Sequence, residues 1–238
     1  HNWKYLADFQ LCDAFVIATP PDSHIEIAEY LLQRNFPIMV EKPLALSHQE
    51  AAKLLPYSPA ILVNHQHLFS NAFEYLNSHL QLSNILSIFS QGTGWGPFRD
   101  YSPIFDYGPH DVSFGLAFWK KSPKVIEARS FQAMQGSNTK LVLDYEGIKH
   151  YCVLGNGFAE KRRELEVHTT QGKYVYDGLH HTLHCNNQEI PLPSTLPLHN
   201  SCRAFIQQVQ ESKYDVRFDF SLQLRLLKTL EEIQKIRS

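Results

Sequence analysis

The sequence has no Cys-x-x-Cys pair, no apolar run long enough to span a bilayer, no long block of like charge and no G-x-G-x-x-G turn. Its four cysteines, Cys12, Cys152, Cys185 and Cys202, stand far apart. That spacing suggests neither a zinc knuckle nor a disulfide framework, and points to reduced thiols in a cytoplasmic protein. A bilayer span needs about 20 apolar residues, and the N-terminus lacks a basic segment followed by an apolar one, so neither a membrane partner nor an export signal is expected. The 22 basic and 24 acidic residues leave a net charge of -2. So even a balance gives nucleic acid no electrostatic foothold.

What is present supports a folded core. The 238 residues are 43% hydrophobic and 12% aromatic, enough for one large domain or two modest ones. Ala14 to Ala18 is a continuous apolar run of strand length, read as buried on both faces, and Thr19-Pro20-Pro21 forbids its continuation. Asp22 or Ser23 can cap a helix with Ile25, Ala28, Leu31 and Leu32 on one face, ending near Asn35. A second strand follows at Pro37 to Val40 and stops at Glu41-Lys42-Pro43. Ser47-His48-Gln49-Glu50 is a capping box, its helix stops at Pro56, and a third strand runs from Ala60 to Val63. Strands alternating with helices over short connections predict a parallel sheet with crossover helices.

Half of a doubly wound domain is therefore expected, because a dinucleotide fold also needs a first strand, a Gly-rich turn and a helix N-terminus for the pyrophosphate. The cluster Gln91-Gly92-Thr93-Gly94-Trp95-Gly96 has the wrong spacing and precedes Pro97, so it reads as a loop lining the site. Residues 1 to 13 are expected to be the tail of a longer N-terminal half, since three parallel strands alone would leave a long unpaired edge. An intact mass equal to that of the 238-residue chain would exclude such a half.

Past Asn64 the pattern changes. A helix is predicted over Asn71 to Leu80, then strands at Ile85 to Gln91, Val125 to Met134, Lys140 to Tyr145, Ile148 to Leu154, Glu164 to Thr169 and Lys173 to Tyr176. Turn signals at Glu146-Gly147, Gln171-Gly172, Asp177-Gly178 and Asn186-Asn187 make this a mostly antiparallel sheet. Helices are predicted near Ser201 to Gln210 and from Asp219, where Leu222, Leu226, Leu230 and Ile233 repeat at helical spacing. The expected fold is α/β: the C-terminal half of a Rossmann-like parallel sheet domain at residues 1–64, then an α+β domain with a mostly antiparallel sheet at 65–238, the last helix, 219–237, packing back.

A strand ending in Glu-Lys-Pro presents polar groups at the carboxyl edge of an open sheet, where ligands bind. Oxidising a secondary alcohol by hydride transfer needs a base for the proton and a cation or donor for the developing oxyanion. Lys42, Asp106 and His110 can supply these. Gly108-Pro109 suits a helix entry, which would stand His110 on the first turn with Asp106 accepting from one ring nitrogen. The same Asp and His also read as a cap and a packed ring.

Asp13-Ala14-Phe15-Val16-Ile17-Ala18-Thr19-Pro20-Pro21-Asp22-Ser23-His24, Val40-Glu41-Lys42-Pro43-Leu44-Ala45 and Asp106-Tyr107-Gly108-Pro109-His110-Asp111 together resemble the Gfo/Idh/MocA family of nicotinamide-dependent sugar and polyol dehydrogenases. The resemblance runs from about Leu11 to the last helix. It implies an oxidoreductase using NAD or NADP on a sugar, sugar derivative or cyclitol, with Lys42, Asp106 and His110 as the catalytic group. It also implies that Thr19, Pro20, Pro21 and His24 line the dinucleotide path and that Glu41 contacts the ribose. Gln66 and His67 align where the family usually carries Asn and Arg, so Gln66 falls on the cofactor side, and a contact made by Arg is lost or made pH-dependent. Ser113 stands where many relatives have Asp. Arg99 and Tyr101, just before Asp106, are placed to touch a polyol. His65, His67, His180, His181 and His184 lack a recognised ligand spacing; no metal is expected, and His180, Thr182 and His184 would share one strand face. The expected partners are a small polyol or sugar and copies of the chain, a dimer or tetramer formed through the antiparallel sheet. The rival reading is a non-catalytic binding or assembly protein that lacks the phosphate loop.

Overall fold

A computed structural model describes Trp3 and residues 12–132, 136–211 and 215–237. Residues 1–11 apart from Trp3, and the predicted strand end at Met134, lie outside the described residues.

Three short apolar segments, β1 (Phe15–Ile17), β2 (Ile38–Glu41) and β3 (Ile61–Asn64), pair in parallel in the order β1-β2-β3. The register sets Ile17 beside Val40 and Val40 beside Val63, so Glu41 and Asn64 end up as neighbours at the carboxyl edge. β2, in the middle, and β3 are buried along their lengths, whereas Val16 of β1 is 58% exposed, correcting the expectation of a first strand buried on both faces. α1 (His24–Leu32) crosses from β1 to β2 and buries Ile27, Ala28, Leu31 and Leu32; Ile27 takes the core position expected of Ile25. Ser23 does not cap it, because its hydroxyl donates to Pro20 O and Thr19 Oγ1 at 2.8 Å. α2 (His48–Ala52) is only five residues long, since Pro56 and Pro59 turn the following chain into a 3-10 segment, Leu55–Ala60. Ser47 Oγ accepts from Gln49 N at 3.2 Å, which supplies the serine half of the predicted box.

After α3 (Asn71–His79) the long strand β4 (Ile85–Trp95) absorbs the glycine cluster that sequence reading assigned to a loop. Gly92 is needed there: a Cβ would stand 2.3 Å from Asp111 Oδ2 and 2.4 Å from Arg163 Nη1. α4 (Pro103–Trp119) follows, then β5 (Lys124–Phe131), β6 (Asn138–Tyr145), β7 (Ile148–Gly155), β8 (Gly157–Thr169), β9 (Gly172–Asp177), β10 (Thr182–Cys185) and β11 (Gln188–Ile190). These strands form one sheet in the order β11-β10-β9-β8-β4-β7-β6-β5. Only β4 and β7 pair in parallel among the described strands of this sheet. Glu146-Gly147 and Asn186-Asn187 close two-residue hairpins with positive φ at both positions, the conformation that matches strand twist. β11 has too short and polar a sequence to have been predicted, and His180 and His181 fall in the turn before β10 rather than on its face.

α4 lies on the inner face of this sheet against β4 and β7. α5 (Pro197–Glu211) covers the 3-10 turn Gln66–Phe69, and α6 (Phe220–Ile236) packs on α4, α2 and β3. Leu222, Leu226, Leu230 and Ile233 form its buried stripe, as their spacing predicts. Two polar links tie it to the smaller sheet: His48 N donates to Glu231 Oε1 at 2.7 Å, and His65 Nε2 meets Gln223 Oε1 at 2.8 Å. The carboxyl edge of the small sheet therefore faces the start of α4.

Candidate active site

α4 begins earlier than the sequence suggested. Ser102 accepts from Ile104 N at its N-cap and Pro103 opens the first turn, so Pro109 lies inside the helix and His110 stands beyond the first turn. Asp106 and His110 remain four apart and share a helix face. Asp106 does not bond to His110, however. Lys42 reaches across from the end of β2 and donates to Asp106 Oδ1 at 2.8 Å and to Asp106 O at 2.7 Å, while Arg99 Nε lies 3.7 Å from Oδ2. The carboxylate thus anchors the lysine rather than the imidazole. Lys42 has three donors and spends two on Asp106, so one N–H is left for a ligand oxygen.

The partner of His110 is His67, with 3.1 Å between their Nδ1 atoms. Hydrogen-bond accounting favours one pair of tautomers. Ser113 Oγ donates to His110 O at 3.2 Å, so it must accept from His67 Nε2 at 2.7 Å. A neutral His67 then has only a lone pair at Nδ1, which accepts the Nδ1–H of His110. His110 Nε2 is left as a proton acceptor. Burial, followed by the neighbouring charges of Lys42 and Arg163, holds His110 well below the usual histidine range, and burial does the same to His67. Ser113, bonded to His67 Nε2 and to His110 O, orients this pair.

The predicted cofactor side is also assembled at the small sheet. His24 is buried, its Nδ1 3.0 Å from Pro43 O and its Nε2 2.7 Å from Thr19 O, so it ties the Thr19-Pro20-Pro21 loop to the Glu-Lys-Pro loop instead of lying on the surface. Glu41 Oε1 accepts from Asn64 Nδ2 at 2.7 Å, and Asn64 Oδ1 is buried without a partner. Gln66 is exposed and lines a 390 Å³ cavity with His67, His110 and Asp111. Arg99 lines a second cavity, of 440 Å³, with Asp106 and Tyr107. Tyr101 is packed against the core, and burial and the Asp106 charge push its hydroxyl upward from the usual tyrosine range.

Lys42, Glu41, the Thr19-Pro20-Pro21 loop and the spare Asn64 acceptor suit the nicotinamide and ribose end of a dinucleotide. Among the described residues no Gly-rich turn opens a helix to hold the pyrophosphate. Sequence reasoning missed Asp111 and Arg163. Asp111 is buried, burial raises it to about 6, and its Oδ2 has no partner. A signal for Arg163 was available: Lys161 and Arg163 occupy the inward phase of β8, ahead of the buried Leu165 and Val167. Of the histidines weighed as metal ligands, His180 pairs with Asp177 at 2.7 Å, and no group of three or more ligating side chains occurs among the described residues.

Lys42 at the edge of the parallel sheet thus meets Asp106 one helical turn before His110 on the facing helix, beside a mostly antiparallel sheet. Residues 1–58 match the oxidoreductase family with an NAD-binding Rossmann fold, the Gfo/Idh/MocA family whose motifs the sequence carries. The fold is shared with an oxidoreductase from Magnetospirillum magnetotacticum MS-1 at TM-score 0.84 and 25% identity, covering 97% of this chain and 82% of that one. UDP-N-acetylglucosamine 3-dehydrogenase from Acidithiobacillus ferrooxidans gives TM-score 0.83 at 19% identity, over 94% of this chain and 78% of that one. A 3-ketoreductase from Actinomadura kijaniata, solved with NADP, gives 0.82 at 16%, over 100% and 81%. A search of curated proteins returned no match. The matched family is one of NAD-binding oxidoreductases, and of these three neighbours the 3-ketoreductase was solved with NADP. No helix among the described residues is long and apolar enough to cross a membrane.

Proposed function

We propose that this chain catalyses reversible hydride transfer between NAD or NADP and a hydroxyl or carbonyl of a sugar, sugar derivative or cyclitol. The observation that carries the reading is a Lys42 anchored on Asp106 with one N–H to spare, one helical turn from His110, whose Nδ1 is engaged by His67. Residues 1–64 would carry the cofactor side, with Thr19, Pro20, Pro21, His24, Glu41 and Gln66 along its path. Residues 65–238 would carry the substrate side.

When bound, the nicotinamide supplies the hydride acceptor or donor. In the oxidative direction His110 Nε2 takes the hydroxyl proton, and Lys42 donates to the same oxygen as negative charge grows on it. In the reductive direction the imidazolium returns that proton. His67 and Ser113 hold His110 in the tautomer that leaves Nε2 free. Arg99 and Tyr101 border the polyol. The outer face of the large sheet exposes Leu86, Ile126 and the stacked pair Phe89 and Tyr151, which supports association of copies through that face.

NADH and NADPH binding, followed by fluorescence on this chain and on the full open reading frame that contains it, tests the reading. Binding by either supports it; failure of both makes Lys42 and His110 structural residues of a binding protein. A His67→Phe variant is expected to keep the ring packing against Phe114 while losing the tautomer lock. Its kcat should fall by roughly 10²-fold with KM little changed, as for loss of a positioned base. Unchanged kcat would remove His67 from the mechanism.

A further inference from the structure

Two cations stand on the inner face of β8 with no carboxylate bonded to them. Lys161 and Arg163 are two residues apart and so project from the same side of the strand. Lys161 is exposed and has no ion pair among the described residues. The Arg163 guanidinium lies over the Tyr107 ring, 4.8 Å from its centroid, and its Nη1 is buried without a hydrogen-bond partner. The nearest acid, Asp111, faces it across Gly92 without forming an ion pair, and Asp111 Oδ2 is unpartnered too. Glu164, the other acid on this wall, is itself pushed upward by burial and by Glu166. Two acids thus face two cations, and neither acid forms an ion pair with Lys161 or Arg163.

Leaving a buried guanidinium donor unpaired costs stability, which proteins accept where a ligand will complete it. Both cations also border both large cavities, the 390 Å³ one holding His67 and His110 and the 440 Å³ one holding Arg99 and Asp106. A guanidinium fork beside a mobile ammonium suits the planar or tetrahedral oxygens of an anion. We propose that Arg163 and Lys161 form an anion subsite of the substrate site, which takes a phosphoryl or carboxylate group carried by the molecule whose hydroxyl reacts at Lys42 and His110. The substrate class is then an anionic sugar derivative rather than a neutral polyol. The assignment of this anion to a substrate rests on the role proposed for Lys42 and His110.

The test titrates inorganic phosphate and, separately, acetate into the whole chain by calorimetry at fixed ionic strength, with NADPH binding measured on the same samples. At least one anion is expected to bind, and its Kd should weaken by about tenfold in Lys161→Gln and further in Arg163→Gln, in line with the loss of one charge-assisted hydrogen bond. Preference for phosphate assigns a phosphoryl group, and preference for acetate a carboxylate. Absence of binding by both, or a Kd unchanged in Lys161→Gln, overturns the subsite. Lys161 is exposed, so its variant reports on the subsite even where the buried Arg163 variant fails to fold. Anion binding by a protein that, on this chain and on its full open reading frame, binds neither NADH nor NADPH leaves the subsite standing and removes the dehydrogenase reading; cofactor binding with indifference to both anions does the reverse.

Discussion

A Lys42→Met variant is expected to lose about 10²- to 10³-fold in turnover while NADPH binding changes little, the loss typical of removing one donor to a developing oxyanion. Methionine keeps most of the apolar stem and removes the charge and its three donors. The side chain of Lys42 is 17% exposed and that of Asp106 is 11%, so their pairing is screened only partly by water. Asp106 would keep Arg99, 3.7 Å away, as a weaker companion. The stability cost should therefore be about 1–3 kcal/mol, below that of orphaning a fully buried charge. A second readout separates chemistry from structure. Lys42 is among the charges that hold His110 below the usual histidine range, so its removal lets His110 keep its proton to higher pH. The acidic limb of the kcat profile should move upward in the variant. Steady-state kinetics at saturating substrate across pH 5 to 9 would show both effects; turnover within about threefold of the parent would end the oxyanion role.

The parts of this fold that could be read from sequence are those where one local rule dominates. Continuous apolar runs gave β2 and β3, helical spacing gave the α6 stripe, and paired turn residues gave the hairpins at Glu146-Gly147 and Asn186-Asn187. Tertiary contacts decided the rest. Val16 is exposed although it sits in a continuous apolar run, which no local pattern reports. The glycines of β4 look like a loop because their cause is remote: Asp111 from α4 and Arg163 from β8 converge on Gly92. In the candidate site, motif spacing placed Lys42, Asp106 and His110 together but misassigned the bonds. Asp106 and His110 are four apart on one helix, yet each prefers a partner from another element, Lys42 and His67 respectively. His67 looked like a lost arginine contact; bonded to Ser113, it is instead the neighbour that engages Nδ1 of His110.

Acid should unfold this protein early, with several kcal/mol of stability lost between pH 7 and about pH 5. His65 and His150 are fully buried, and burial lowers them from 6.5 to about 4 and about 3 respectively. His67 and His110 are lowered in the same direction. In the unfolded chain all four would take a proton near pH 6.5, whereas the folded protein refuses it until well below. Between the folded and unfolded values the unfolded state holds more protons, so stability falls as pH falls, and above pH 6.5 these groups contribute no slope. Each such site adds at most about 1.4 kcal/mol per pH unit. Asp111 works the other way: burial raises it from 3.8 to about 6, so the folded state binds its proton first and gains stability on acidification within that range. One carboxyl offsets one histidine. Even if only the two fully buried histidines act in full, a net slope of about 1.4 kcal/mol per pH unit remains, and His67 and His110 steepen it. Against a total of about 5–15 kcal/mol for a domain of ordinary stability, that is enough to bring unfolding into mildly acidic buffer. Urea midpoints at pH 7.5, 6.5, 5.5 and 5.0 should show a plateau above pH 6.5 and a steep fall below it. His150→Gln, which keeps a polar group beside Ser90 Oγ without a titrating ring, should remove one site's share of the slope. A midpoint independent of pH across this range would mean that the buried histidines do not, on balance, withhold protons in the folded state.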